Sequence, residues 1–330
     1  ATGNALLTLP PVGSYDRIYD QIVSLGEIMS TQIVAAHLIS VGVATQWADA
    51  RRLIRTDTTF REGKVDWITT EAAILDVVER FPGQVMVTQG FIGQTATGET
   101  TTLGREGSDY TAAIFAYCLN AESVTIWKDV PGVLNADPKY FDGTVLLERL
   151  TYQDAIELAY YGATVIHPKT IKPLQNKGIP LYVRSFLRPD QPGTVISQIE
   201  GHLPVPSFIF KVDQWLISLH PSDFSFIAED NLSGIFGLFA AAGVKINLMQ
   251  NTAISFTVAV DNNPDKLPGL LDALKQNFRV SYNEGLELIT IRYYNHQTID
   301  RVLENKTLLL EQKSRTTVQL VVKDRGLRHG

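Results

Sequence analysis

The sequence predicts an α/β protein over its first two thirds and smaller α+β units after that. Three observations carry this. Strand and helix patterns alternate from residue 15 to residue 186, which implies a mostly parallel sheet with helices on both faces. The segment GHLPVPSF at 201–208, with two prolines, then marks a domain boundary near residue 204. Beyond it the order becomes β-α-β-β-α-β, completes once and begins again near Leu286, as in ferredoxin-like units. The predicted divisions are therefore 1–203, 204–285 and a shorter 286–330.

In chain order, residues 15–42 read as a helix, with Ile18, Ile22, Leu25, Ile28 and Met29 at three- and four-residue spacings. A short strand at 44–47 and a helix at 69–81 follow. QVMVTQGFIG at 84–93 reads as a buried strand running into a glycine turn. GSDYTAAIFAYCLNA at 107–121 is a helix with Ser108 or Asp109 near its N-cap. A strand at 123–130, a helix at 152–162 that Gly162 can end, and a strand at 179–186 complete the first part. In the second part, strands are expected at 215–220, within 245–261 (two joined by a turn), at 279–285 and 286–294, and at 316–324. Helices are expected at 228–244, 264–278 and 298–312.

Two or three domains suit a chain of 330 residues. Apolar residues at 45% and charged residues at 19% argue for a packed globular protein. A net charge of −6 without a Lys/Arg block argues against a nucleic-acid partner. The one cysteine, Cys118, sits in the apolar run AAIFAYCLNA and reads as a core residue in a reducing, cytoplasmic setting. No apolar stretch reaches the roughly 20 residues that span a bilayer, so no membrane partner is expected. The chain opens ATGNALL with no Met, and residues before Ala1 are expected to exist.

The stretch richest in chemistry is TTLGREGSDYTAA, 101–113. It sets two glycines, an arginine, a serine and an aspartate at the mouth of a helix. Such a mouth offers unpaired backbone N–H groups and the positive end of a dipole, so it suits anions. Arg105 can grip a carboxylate with two parallel hydrogen bonds. The glycines also fit an ordinary turn. No GxxxxGK[ST] occurs, so the chain is not a P-loop enzyme.

Around that stretch stand LGEIMST at 25–31, GFIG at 90–93, IWKDVPGVLNADP at 126–138 and ELAYYGATVIHP at 157–168. Together and in this order they resemble the aspartate kinases of the amino-acid kinase family, which carry tandem ACT modules after the kinase domain. The resemblance implies a three-layer kinase sheet with helices on both faces and two ACT modules. It implies transfer of the γ-phosphoryl group of ATP to the side-chain carboxylate of L-aspartate. Mg²⁺ would be held mostly by the phosphates, and no metal site on the protein is implied.

Residue by residue, the resemblance implies that Glu27 holds the α-ammonium of aspartate and Arg105 its α-carboxylate. Ser108 helps place the substrate, Phe91 lines the pocket, Asn4 belongs to a substrate-binding TTN-like motif, and Asp109 organises the reacting end. Lys128, Asp129, Pro138 and Lys139 surround the nucleotide. His167 reads as the partner in a structural hydrogen bond. ACT modules imply an amino-acid effector, a homodimer or dimer of dimers, and a first-module pocket formed by Asn231, Leu232, Ile246, Asn247, Thr252, Ala253 and Ile254.

The chain also departs from that pattern. The family's KFGG strand, whose lysine contacts the transferred phosphoryl, is absent, Gly3 precedes Asn4 where a threonine is usual, and the segment from Asn4 to Glu27 is short. Leu134, Lys139 and Thr164 replace a tyrosine, an arginine and a lysine, and Lys169 is a possible substitute cation. In lysine-inhibited relatives, acids occupy the places of Asn247 and Ala253. Without them a buried ammonium lacks its partners, at a cost of several kcal/mol. Either another amino acid binds there or the module is structural. The alternative to a kinase is a degenerate kinase fold serving as an amino-acid sensor.

Overall fold

A computed structural model describes residues 14–163, 166–199, 205–221, 226–227 and 229–324. Asn4 and Thr164 lie outside these residues. The described chain forms two compact units. One takes in 14–133, 148–159 and 166–199; the other takes in 134–147, 160–163 and the residues from 205 onward.

The first unit opens with helix α1 (Tyr15–Ser40), where the Ser14 hydroxyl accepts from Arg17 N. Strand β1 (Thr45–Trp47), short helix α2 (Ala50–Leu53), β2 (Arg55–Thr56) and α3 (Trp67–Arg80) follow. Next come β3 (Val85–Val87), β4 (Ile92–Thr95), β5 (Thr100–Thr102), α4 (Gly107–Leu119), β6 (Val124–Lys128), β7 (Arg149–Thr151) and α5 (Tyr152–Tyr161). Helix α6 (Pro168–Lys177), β8 (Leu181–Ser185) and β9 (Thr194–Ser197) complete it. The pairs β1–β3, β2–β4, β6–β8 and β7–β9 are parallel, while β4–β5 and β8–β9 are antiparallel. The core joins Leu53, Ile54, Ile74, Leu103, Ile114 and Cys118. Burial pushes the Cys118 thiol up to about 11, with Glu71 adding to the shift and Lys177 opposing it, so it is a packed thiol and not a nucleophile.

Helix α1 is long and apolar enough, by length and composition alone, to cross a bilayer. That corrects the expectation that no apolar stretch is so long. Its fully buried Asp20 nevertheless anchors it in the first unit, accepting from Thr102 Oγ1 at 2.8 Å, Thr102 N at 2.9 Å and Arg61 N at 2.8 Å. A buried carboxylate is tolerated because these three donors replace its water.

The second unit is built on β10 (Ser207–Pro221), α7 (Glu229–Ala242), β11 (Ile246–Asn251), β12 (Phe256–Asp261), α8 (Leu267–Lys275), β13 (Phe278–Arg292), α9 (His296–Leu303), β14 (Lys306–Lys313) and β15 (Thr317–Asp324). Its six strands lie in the order β11-β12-β10-β13-β15-β14. Three sequence expectations change here. SFIF at 207–210 belongs to β10 and not to a linker, 278–292 is one continuous strand, and 306–313 is a strand and not the end of a helix. Asn305, with φ 59°, turns the chain between α9 and β14, and a periodicity reading cannot see that break.

The long strands β10 and β13 each serve two ferredoxin-like halves. Residues 214–221 and 278–283 close the half holding β11 and β12. Residues 207–211 and 286–292 close the half holding β14 and β15. The second half thus takes a strand from before the first. Register breaks between Lys211 and Leu216 separate the halves, and Asp213 there has φ 53°. Such a bulge bends a sheet. The bend brings Leu216, Leu248 and Ala259 of one half into one buried cluster with Leu286, Leu288, Leu310 and Val321 of the other. Residues 134–147 pack on this unit, where the Phe141 ring stacks on Phe208 at 4.2 Å.

Candidate active site

The site assembles where α4 begins. Helices start most easily at a side-chain cap, yet α4 has none: Glu106 is its N-cap residue, left-handed at φ 54°, with no side-chain cap bond. Ser108 and Asp109, expected near the cap, lie inside the first turn. The uncapped mouth leaves backbone N–H groups for an anion. The QGFIG turn is pressed against this mouth. A Cβ on Gly107 would lie 2.6 Å from Phe91 Cβ, and one on Gly90 would lie 2.6 Å from Ser108 Oγ. Neither position has room for a side chain, so both glycines are required for the two segments to meet.

Glu27, on α1, accepts from Gly90 N at 2.9 Å. Because Gly90 touches Ser108, the structure brings Glu27, Gly90 and Ser108 to one place. Phe91 N donates to Thr111 Oγ1 at 2.9 Å, which holds Phe91 in its left-handed conformation at φ 49°. Phe91 and Arg105 share the wall of a cavity of about 660 Å³ with Asp16, Tyr19, Arg61 and Glu62. Arg105 makes no ion pair among the described residues. Sequence reasoning missed Arg61 and Glu62, because TFREG carries no motif, and it passed over Glu106, although GREGSD contains it.

Lys128 Nζ lies 2.9 Å from Asp109 Oδ2 and 3.2 Å from Glu106 Oε2. Burial raises the Asp109 carboxyl above its ordinary value; Lys128 pulls it down and Glu106 pushes it up. Burial alone would lower Lys128, but the Asp109 and Glu106 carboxylates outweigh it and raise it. The two shifts differ in source: burial dominates at Asp109, whereas at Lys128 the two carboxylates prevail over burial. The mouth therefore holds an arginine with no ion pair among the described residues and a lysine that is already neutralised.

His167 caps α6, its Nδ1 accepting from Lys169 N at 3.1 Å, which supports its structural reading. Asp129 is exposed beyond the end of β6. Pro138 and Lys139 belong to the second unit and are exposed, with Lys139 N donating to Asp137 Oδ1 at 2.8 Å.

The sequence and the fold match a known family. Residues 4–185, more than half of the chain, match the amino acid kinase family. The chain belongs to that family. This amino acid kinase is 33% identical to lysine-sensitive aspartokinase 3 of Escherichia coli K12 over 82% of its own length, and 32% identical to chloroplastic aspartokinase 1 of Arabidopsis thaliana over 76%. It spans 62% and 45% of those two relatives, less than two thirds of either. Crystal structures of E. coli aspartokinase III, one with lysine and aspartate and one with aspartate and ADP, superpose with TM-scores of 0.78. They are 30% and 29% identical, and each comparison covers 95% of this kinase and 74% of the other chain.

In the second unit of this amino acid kinase, the residues expected to form an effector pocket fall into two groups. Ile227 N donates to Ala253 O at 2.9 Å, so the chain entering α7 meets the turn that carries Thr252, Ala253 and Ile254. Asn231 and Leu232 open α7 at that end. Ile246 and Asn247 stand at the start of β11, about five residues or roughly 16 Å away. Both ends of the Asn247 amide are engaged: Oδ1 accepts from Lys211 Nζ at 2.7 Å, and Nδ2 donates to Gln214 Oε1 and Asp261 Oδ1 at 2.9 Å.

Proposed function

We propose that this amino acid kinase transfers the γ-phosphoryl group of MgATP to the side-chain carboxylate of L-aspartate, forming 4-phospho-L-aspartate and ADP. The observation that carries this is the uncapped mouth of α4, where Arg105, with no ion pair among the described residues, stands beside the Lys128–Asp109–Glu106 cluster. Aspartate and ADP in the related E. coli enzyme support the choice of substrates.

A carboxylate is a nucleophile at neutral pH, with an ordinary pKa of about 3.9, so no strong general base is needed. The difficulty is charge, because an anion must approach a polyphosphate. Arg105 holds the α-carboxylate of aspartate and Glu27 its α-ammonium. Ser108 and Phe91 set the side chain in line with the phosphorus. The N–H groups of the α4 mouth face the charge that builds up during transfer. Lys128 keeps Asp109 and Glu106 from repelling the incoming anions, and Lys128 and Asp129 serve the nucleotide. The Mg²⁺ would be held mostly by the phosphates, as a hard ion that keeps waters can be.

The second unit acts as a pair of interleaved ACT modules, one built on residues 214–283 and the other on 207–211 with 286–324, that binds an amino-acid effector. The separation of Asn231 and Thr252 from Asn247 within one chain favours a homodimer, in which a second copy completes each pocket. A buried, unpaired Cys118 fits a cytoplasmic enzyme.

The test is acyl-phosphate formation by the full-length protein with MgATP, trapped with hydroxylamine, comparing L-aspartate with L-glutamate. Turnover with aspartate alone, abolished in Arg105→Ala, is expected. Amino-acid binding without turnover on any substrate would overturn the kinase reading in favour of a sensor.

A further inference from the structure

Lys169 lies outside every motif that carries the resemblance, yet the fold delivers it to the anion site. Its root is fixed. It is the second residue of α6, after Pro168 at the first helical position and His167 at the cap, and Thr170 and Ile171 behind it are fully buried. Its tip reaches the turn before α4: a Cβ on Gly104 would lie 3.6 Å from Lys169 Nζ. Gly104 has φ +81°, a conformation in which glycine is the default residue, and the absence of a side chain there gives the amine its approach. Gly104 and Arg105 both line the cavity.

Two features separate Lys169 from an ordinary surface lysine. Among the described residues its ammonium has no carboxylate partner and no hydrogen bond, whereas Lys128 has two carboxylates. The neighbouring His167 also registers its charge: burial lowers the proton affinity of the ring most, the cations of Lys169 and Arg105 lower it further, and Glu106 and Glu62 oppose them. Among the described residues Lys169 and Arg105 are thus two cations without an ion pair near one helix mouth, with the Glu62 side chain also approaching Gly104. Arg105 suffices for the α-carboxylate of bound aspartate, whose side-chain carboxylate is the nucleophile. A second cation is called for when that site also receives a phosphoryl group.

We infer that Lys169 is a catalytic residue whose ammonium contacts the transferred phosphoryl group at the mouth of α4. It forms and breaks no covalent bond. It moves no proton, and it neutralises charge on the phosphoryl oxygens as they pass from ADP to the aspartate carboxylate. The exposed side chain follows this movement from a fixed root. The inference rests on the kinase reading above.

The experiment compares full-length wild type with Lys169→Ala and Lys169→Arg in the hydroxylamine assay, recording kcat and the KM values for aspartate and ATP separately. A contact made mainly in the transition state lowers kcat and leaves KM nearly unchanged. We expect kcat to fall about 100-fold in Lys169→Ala, in the range for loss of one preorganised charge-stabilising donor. Both KM values should stay within about threefold, Lys169→Arg should recover part of the rate, and added alkylamines should restore part of the Lys169→Ala rate. An unchanged thermal midpoint in both variants will separate this from misfolding. Rates for Lys169→Ala within twofold of wild type would overturn the inference while leaving the kinase reading intact. A raised KM for aspartate with kcat unchanged would also overturn it, by assigning the cation to the substrate carboxylate. An inactive wild type would overturn the kinase reading and the inference with it.

Discussion

Lys128 Nζ stands 2.9 Å from Asp109 Oδ2 and 3.2 Å from Glu106 Oε2, so a single ammonium serves two carboxylates at the start of α4. The Asp109 carboxyl is raised chiefly by burial, against the pull of Lys128 and with the push of Glu106. An acid raised in the folded state contributes stability below its unfolded value and loses that contribution as pH rises through the folded one. At neutral pH, ionised Asp109 therefore costs stability. Asp109→Asn should keep or raise the thermal midpoint, with Lys128 still paired to Glu106, while turnover falls because the charge balance around Lys128 at the reacting end is changed. A large drop in the midpoint would mean that Asp109 is a structural ion-pair partner instead.

Gly107 has no room for a methyl group, since its Cβ would sit 2.6 Å from that of Phe91. In an exposed helix, Gly→Ala stabilises. Here the clash should win, because both segments are fixed by hydrogen bonds: Leu103 N to Phe91 O at 2.9 Å, and Phe91 N to the Thr111 side chain, Oγ1, at 2.9 Å. Gly107→Ala should destabilise the first unit by about 1–3 kcal/mol and raise the KM for aspartate. Chemical denaturation of the variant, read together with its KM, checks both.

The helices and parallel pairs of the first unit were legible because their signals are local: apolar spacing in α1, and glycine and charge at the mouth of α4. What was not legible depends on distance. Nothing in SFIF tells that 207–211 pairs with 288–292, or that VLNADPKYF leaves the first unit to pack against Phe208. The hairpin of β4 and β5, helix α6 and strands β7 and β9 are short and carry weak periodicity, and they went unread. In the site, Arg105, Ser108 and Asp109 share one stretch and could be read together. Lys169 reaches them through a fold contact 65 residues away in sequence, which no spacing rule encodes.

The cap of α6 should titrate. His167 Nδ1 can accept from Lys169 N only while it is unprotonated. Its proton affinity is lowered from the ordinary 6.5, first by burial and then by Lys169 and Arg105. A base lowered in the folded state contributes stability above its unfolded value, and that contribution is lost as pH falls. Thermal stability should therefore decline as pH drops from about 6.5 through the lower folded value of His167. His167→Asn, which retains an acceptor suited to an N-cap, should flatten this decline. An identical pH profile for wild type and variant would assign the decline to other groups.

Phe141 ties residues 134–147 to the second unit. Its ring stacks on Phe208 at 4.2 Å, and the Arg301 guanidinium lies 3.9 Å from its centroid. It joins a core with Ile289, Ile291, Val302 and Leu320. Phe141→Ala should cost about 3–5 kcal/mol, and hydrogen exchange should show the loss of protection in β10, β13 and α9. Loss confined to residues 134–147 would show that this segment is a passive passenger.

L-Lysine should not inhibit through Asn247. The amide is held on both sides, and the charge it faces is already an ammonium, that of Lys211 at 2.7 Å. Lys211 is lowered by burial, with Asp261 opposing and Lys245 adding to the shift, so the site resists cations even before a ligand arrives. A second ammonium would face repulsion from Lys211, which Asp261 offsets in part. Asn247→Asp should strengthen the contact with Lys211 and still confer no lysine inhibition, because the new carboxylate is neutralised from within. Combining Asn247→Asp with Lys211→Met removes that neutralisation and should make the enzyme bind lysine measurably by calorimetry. Lysine inhibition of the wild type, unchanged in Asn247→Asp, would place the effector elsewhere on the second unit.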